Sequence, residues 1–293
     1  MNQGVRLESL LCDSTSNALL YCLPYITKIS NVYKLCYRNK IMEEYKLTFI
    51  GLTVTLLILL VITELIFPAR KYDHTNKKSS YLTNILLFGF NNAATILLQV
   101  SAVFTIVLLY SPTADFFTLL PIWTQVILGV LILDFGIWVW HLLNHKIPIL
   151  WAFHKCHHSE QYLNASSALR FHIGELLLSV LWKAFILILF GIPLWIFALS
   201  EFLLTMFAIF HHANIKLSPR ARNILELFFI SPYLHRVHHS DIRQEHDSNY
   251  GVIFSWWDKI FSTAKHIVPE RIGLEHVQEK TFLSFLTFPF RKK

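Results

Sequence analysis

Long apolar runs separated by short polar stretches dominate this chain, and their lengths predict helices that cross a membrane. A helix rises about 1.5 Å per residue, so a hydrocarbon layer of about 30 Å calls for roughly 20 apolar residues. Leu47 to Phe67 gives a first span, Leu82 to Tyr110 a second and Ile122 to Trp140 a third. From Leu176 to Phe210 a longer apolar run is interrupted at Gly191 and Pro193, where a Gly-x-Pro sequence turns the chain, so a hairpin of two spans is expected. The predicted fold class is an all-α, polytopic membrane bundle of about four to five spans. With 54% hydrophobic residues and 15% charged ones in 293, the composition excludes an ordinary soluble domain.

The polar residues that collect where the apolar runs stop include eleven of the fifteen histidines. They fall as His141-x-x-x-His145, His154-x-x-His157-His158, a looser group of His172, His211 and His212, and His235-x-x-His238-His239. On a helix, positions i, i+3 and i+4 share one face with Cβ atoms about 5–6 Å apart, so each HxxHH block presents three imidazoles together. Neutral imidazole is a common metal ligand, whereas several protonated rings crowded together repel one another. The repeated spacing therefore predicts a metal site. For His172 and His211 a structural role is an equal reading, and His74, His246, His266 and His276 stand alone and are expected to be structural or solvated. Cys156 lies at i+2 from His154, on the opposite side of a helix, and reads as a reduced spectator thiol.

The apolar hairpin leaves just after His172 and returns just before His211, so every histidine block can share one membrane face. The loop from Ala69 to Ser80 carries Arg70, Lys71, Lys77 and Lys78, which places that face in the cytoplasm, although Arg38, Lys40 and Lys46 flank the first span on the other side. A histidine-rich cytoplasmic cap on a bacterial inner membrane or endoplasmic reticulum protein is thus expected. Residues 1–41 hold Cys12, Cys22 and Cys36 and read as an extension of unknown role, with Met42 resembling a natural start. The remaining divisions are 42–121 for N-terminal transmembrane helices, 122–266 for the domain that carries the histidine blocks and 267–293 for a basic tail.

Asp134, His141 and His145 fall on one stripe of the third span, with Asp134 about 10 Å deeper. A carboxylate at that depth is costly, and it reads equally as a brace within the bundle or as an acceptor for an imidazole N–H. Trp138, Trp140 and Trp151 read as interfacial anchors. After His239, the stretch from Asp247 to Phe261 is aromatic and amphipathic, suited to a cap seated on the bundle with polar groups facing the metal site.

Taken together, residues 134–263 resemble the fatty acid hydroxylase/sterol desaturase superfamily of membrane non-haem diiron enzymes. The resemblance rests on Asp134 before His141-x-x-x-His145, Trp151-x-x-His154-x-x-His157-His158-Ser159, Asn164, Arg170-x-His172-x-x-Glu175, Phe210-x-His212-Ala-Asn214, Pro232-x-x-His235-Arg-Val-His238-His239, Asp247-x-Asn249-Tyr250-Gly251 and Trp257-Asp258-x-x-Phe261. Ile173 stands where the family usually has proline, and Ser262 where it often has glycine. The resemblance implies two iron ions held by His141, His145, His154, His157, His158, His172, His212, His235, His238 and His239, and favours His212 over His211. It offers Asp134, Glu175, Asn214, Asn249, Tyr250 and Asp258 as residues that orient those ligands. O₂ is the implied co-substrate, and C–H hydroxylation of a membrane lipid the implied reaction, with desaturation as the alternative.

The sequence holds no haem-binding module, no Gly-x-Gly-x-x-Gly and no Cys-x-x-Cys pair, so electrons are expected from an external carrier of cytochrome b5, ferredoxin or rubredoxin type. A net charge of +7 suits an acidic carrier or anionic membrane lipids, and no nucleic-acid partner is expected. A transition-metal transporter, the competing class, needs polar ligands near the bilayer midplane, where Asp134 stands alone. A metal-binding relic without catalysis is a third reading, against which the intact histidine blocks argue.

Overall fold

The computed structural model describes residues 47–97, 116–274 and 282–291. The histidine blocks all lie in one compact unit that begins at Leu52. The principal helices are α1 (Leu47–Ile66), α2 (His74–Leu97), α3 (Ile122–Lys146), α4 (Pro148–His158), α5 (Ile173–Phe190), α6 (Leu194–His212), α7 (Pro232–His238), α8 (Trp256–Ile260) and α9 (Phe282–Thr287). Among the described residues, extended backbone pairs only in isolated bridges, such as Pro68 with Ile215 and Phe229 with Phe254.

Helices α1, α3, α5 and α6 are long and apolar enough to cross a membrane. The expected hairpin is α5 and α6. Gly191 ends α5 in the left-handed region at φ 64, where a Cβ would be strained, and Pro193 precedes the first residue of α6. Phe117, Leu133, Ile186, Leu187, Ile192, Ile196 and Phe197 form the core where α3 meets the hairpin. Leu60 of α1 packs with Ala165, Ala168, Ile209, Ala213 and Ile215 in a second cluster. Leu59 and Ile62 on α1 and Leu181, Phe185 and Leu189 on α5 face outward, as hydrocarbon surroundings allow.

The second expected span differs from the prediction. Its helix begins at His74 rather than Leu82, and residues 98–110 of the predicted span lie outside the described residues. One side of α2 is apolar and exposed at Leu82, Ile85 and Leu86, while the other buries Ser80, Thr83, Asn84 and Asn91. Asn84 donates through Nδ2 to Glu160 Oε2 at 3.2 Å and to Ser166 Oγ at 3.0 Å, and its Oδ1 accepts from Arg170 Nη1 at 3.1 Å. Buried polar groups need such partners, so this side of α2 is fixed to the segment that follows α4.

Candidate metal centre

Each histidine block is placed by a local helix boundary. Ile147 takes an extended conformation before Pro148, which ends α3 and starts α4. His141 and His145 therefore close α3, one turn apart, while His154, His157 and His158 occupy the far end of α4. His212 ends α6. Ser231 caps α7 by accepting from the amides of Tyr233 and Leu234, and Pro232 occupies its first turn, which aligns His235, His238 and the following His239.

These blocks converge into two adjoining sets. His141, His145, His154, His158 and His238 form one, and His157, His212, His235 and His239 the other, with the candidate ligand atoms of each set within 4.8 Å of one another. Metal–imidazole bonds of roughly 2.0–2.1 Å put opposite ligands about 4 Å apart, so each set fits one ion. The rings of His158 and His239, one from each set, stack at 4.6 Å. All nine side chains are buried.

The hydrogen bonds show which nitrogens are available. In the first set, Nδ1 donates outward from His141 to the Tyr250 carbonyl (2.8 Å), from His145 to Asp247 Oδ1 (3.2 Å), from His154 to Glu175 Oε1 (2.7 Å) and from His238 to the Ser248 carbonyl (2.8 Å). Carbonyl and carboxylate oxygens cannot donate, so the proton sits on Nδ1 and Nε2 is left as a bare lone pair. Those four Nε2 atoms are buried and have no hydrogen-bond partner, and neither nitrogen of His158 has one. Unpartnered acceptors of this kind are costly unless a cation completes them.

The second set makes the same point more sharply. His157 Nδ1 donates to the Arg170 carbonyl (3.2 Å) and His212 Nδ1 to the Ala208 carbonyl (2.7 Å). Their Nε2 atoms then face each other at 3.0 Å with no proton between them, an arrangement a bound cation relieves. Burial, reinforced by the neighbouring imidazoles, holds His157, His158, His235, His238 and His239 well below the usual histidine range, which keeps them in the neutral, metal-binding form. The donor set fits two nitrogen-ligated transition-metal ions.

The loop after α7 holds the centre from outside. Asp258 accepts from Trp138 Nε1 (3.0 Å), from the amides of Tyr250 (2.9 Å) and Gly251 (2.8 Å), and from Thr263 Oγ1 (2.6 Å). Asn249 adopts the left-handed region at φ 53, and its amide bonds the backbone of Leu234 and Lys265. The Tyr250 ring packs within 5.1–5.8 Å of His141, His145 and His238.

Of the other residues singled out by the sequence, some keep their expected places and some do not. Asp134 reaches no imidazole; it braces this loop, accepting from the amides of Ile253 and Phe254 and from Trp257 Nε1. Asn214 anchors the segment after α1 through the backbone of Arg70, and its side chain is thereby turned to that segment rather than to a histidine set. His172 lies outside both sets and caps α5, accepting from the Gly174 amide through Nδ1. His212 joins a set, while its neighbour His211 stands beside it with Nδ1 on the Val252 carbonyl. Trp138 is no interfacial anchor but a buried donor to Asp258. His246, expected to stand apart, is buried, stacks on Trp151 at 5.2 Å and groups with His145 and Asp247. Its separation from the blocks in sequence hid this, and the adjacent Asp247 was the one available hint. Cys156 packs with Leu87, Phe285 and Phe288, outside both sets. His276 lies outside the described residues.

Glu175 is the carboxylate that fixes the His154 ring, and Glu175→Gln is expected to weaken metal binding by about 10–100-fold, as measured by competition with a chelator.

Residues 126–263 match the family described as Fatty acid hydroxylase. An ornithine lipid hydroxylase of Rhizobium tropici is 34% identical over 59% of this chain and 52% of its own length. The alkylglycerol monooxygenase of Homo sapiens is 34% identical over 48% of this chain and 30% of its own, and the cholesterol 25-hydroxylase of Rattus norvegicus 30% identical over 48% and 47%. The chain thus spans about half, or less, of the length of these curated relatives. No solved structure matches it. The matched stretch contains both histidine sets, and over it the chain is similar to the fatty acid hydroxylase family and to these lipid hydroxylases and monooxygenases.

Proposed function

We propose that this protein is an oxidoreductase that hydroxylates a membrane lipid with O₂, using two iron ions in the paired histidine sets and electrons from an external carrier. The observation that carries the reading is the convergence of nine imidazoles, four of the first set turned so that bare Nε2 atoms face inward. Two ferrous ions bound there would supply the reduction of O₂ and the oxidising power to break an unactivated C–H bond, which no side chain provides.

The protein's own share is positioning. Glu175, Asp247 and the carbonyls of Tyr250 and Ser248 take the Nδ1 protons of the first set and hold its rings in register. The outward apolar faces of α1 and α5 leave the surroundings to lipid, from which an acyl or sterol substrate can approach while water is excluded. Hydroxylation is preferred to desaturation because the relatives carry the names hydroxylase and monooxygenase. The same reading puts catalysis in residues 122–266, directs the histidine sets to the cytoplasm by the basic loop after α1, and looks to a cytochrome b5, ferredoxin or rubredoxin type donor.

Metal analysis of protein purified in detergent under reducing, anaerobic conditions is expected to give about two irons per chain. Lipid mass spectrometry of cells with and without the protein is expected to show a lipid that gains one oxygen atom. Iron-free protein would overturn the diiron reading, and a product lacking two hydrogens would replace hydroxylation by desaturation.

A further inference from the structure

Beside the histidine sets, two further side chains have buried polar atoms without partners. Arg236, on α7 between His235 and His238, is 8% exposed, and its Nε and Nη2 are buried with no hydrogen-bond partner. The Tyr72 hydroxyl is buried and equally unpartnered. Tyr72 interacts electrostatically with both Arg236 and Arg70, and Arg236 with Tyr72, Arg70 and Tyr233. Among the described residues, none of the groups acting on Arg236 is a carboxylate. The two carboxylates that Tyr72 senses are engaged elsewhere, Glu160 with Ser80 and Arg170, Glu64 with Tyr81 and the amides of Ala165 and Asn214.

A guanidinium withdrawn from water without a counter-charge is strongly unfavourable, and a second cation beside it adds to the cost. Bridging water could satisfy single N–H groups, but it brings no negative charge. Burial pushes the Tyr72 phenol up to about 12, so it remains an O–H donor. Donors alone, with surplus positive charge, describe an anion site, and the planar guanidinium matches a phosphate or carboxylate with two parallel hydrogen bonds.

The position narrows the source. Arg70 follows the end of α1 at Ile66 by four residues, and its amide is tied to Asn214 Oδ1 at 3.0 Å, just beyond the end of α6. Its guanidinium donates to the carbonyls of Pro269 and Glu270. Arg70 therefore stands where two helices long and apolar enough to cross a membrane stop, the level at which lipid headgroups would lie.

We propose that Arg236, Tyr72 and Arg70 form a binding site for the anionic phosphate or carboxylate of a lipid headgroup. The site stands on these residues alone; only its use for substrate rests on the lipid-hydroxylase reading above.

Native mass spectrometry of the full chain, released from uncharged detergent with phosphatidylglycerol or with diacylglycerol of the same acyl chains, tests binding without turnover. The wild type is expected to retain phosphatidylglycerol over diacylglycerol by at least about tenfold, the worth of one charge-assisted hydrogen bond. Arg236→Gln is expected to bring that ratio near one, with Arg236→Lys intermediate. Tyr72→Phe, which leaves both cations, is expected to lower it severalfold and covers the case in which Arg236→Gln does not fold. In lipid-free detergent Arg236→Gln is expected to melt higher than the wild type, because an uncompensated charge has been removed. A melting shift of the wild type with inorganic phosphate and none with phosphatidylglycerol would assign the site to a free anion and overturn the headgroup source. Equal ratios in the wild type, Arg236→Gln and Tyr72→Phe would overturn the site itself. Iron content, read in parallel, separates either outcome from failure of the diiron reading.

Discussion

His238→Ala is expected to abolish the oxygenated lipid and to lower bound iron from about two per chain toward one. The imidazole is fully buried, donates through Nδ1 to the Ser248 carbonyl at 2.8 Å, and keeps an unpartnered Nε2. Alanine removes that nitrogen from the first set but leaves His157, His212, His235 and His239 intact. His157→Ala is expected to give the mirror result, with the first set retaining its ion. The informative contrast is His172→Ala. That residue caps α5 through the Gly174 amide and lies outside both sets, so its loss should cost about 1 kcal/mol of stability, in the manner of an N-cap, and leave both irons in place. Iron analysis and lipid mass spectrometry on the three variants check this together. Product formation by His238→Ala or His157→Ala would count decisively against the metal assignment.

Asp258→Ala is expected to be the most damaging change outside the ligands. The carboxylate is 1% exposed and accepts from Trp138 Nε1, from the amides of Tyr250 and Gly251, and from Thr263 Oγ1. Each buried donor left without a partner costs about 1–3 kcal/mol, and the losses are not additive, so a destabilisation of roughly 3–5 kcal/mol is expected. The effect should reach the metal, because the backbone it clamps carries the Tyr250 carbonyl that fixes His141. A lower melting temperature together with weaker iron retention is the expected outcome in detergent. Asp258→Asn, which keeps the shape and one acceptor oxygen, is expected to recover part of both. Loss of stability with unchanged iron affinity would confine Asp258 to the fold.

Much of this molecule is written in local sequence. The length of an apolar run sets a spanning helix, and the interruption at Gly191 and Pro193 sets a hairpin, because both effects act within a few residues. The spacing i, i+3, i+4 likewise put His154, His157 and His158 on one helix face without reference to the rest of the chain. Partition was different. His157 and His158 are neighbours in the chain yet belong to different sets, and His238 and His239 divide the same way. Adjacent positions on a helix point about 100° apart, so a pattern that identifies a block cannot assign its members to ions.

Contacts made across long stretches of chain were likewise decided by packing. Asp134 and Asp258 are both acidic residues near aromatic ones, and the sequence left Asp134 equally suited to bracing and to holding an imidazole; its partners prove to be two amides and the Trp257 indole, 119, 120 and 123 residues away. His172 and His246 exchange their expected places for the same reason, one withdrawn to cap α5 and the other folded against Trp151. Local sequence was enough for each feature set by neighbouring residues: the first and third spans, the hairpin and the histidine blocks. What the tertiary structure decided was which imidazoles meet and which nitrogen each turns inward, since that depends on carbonyls and carboxylates brought alongside only when distant segments pack.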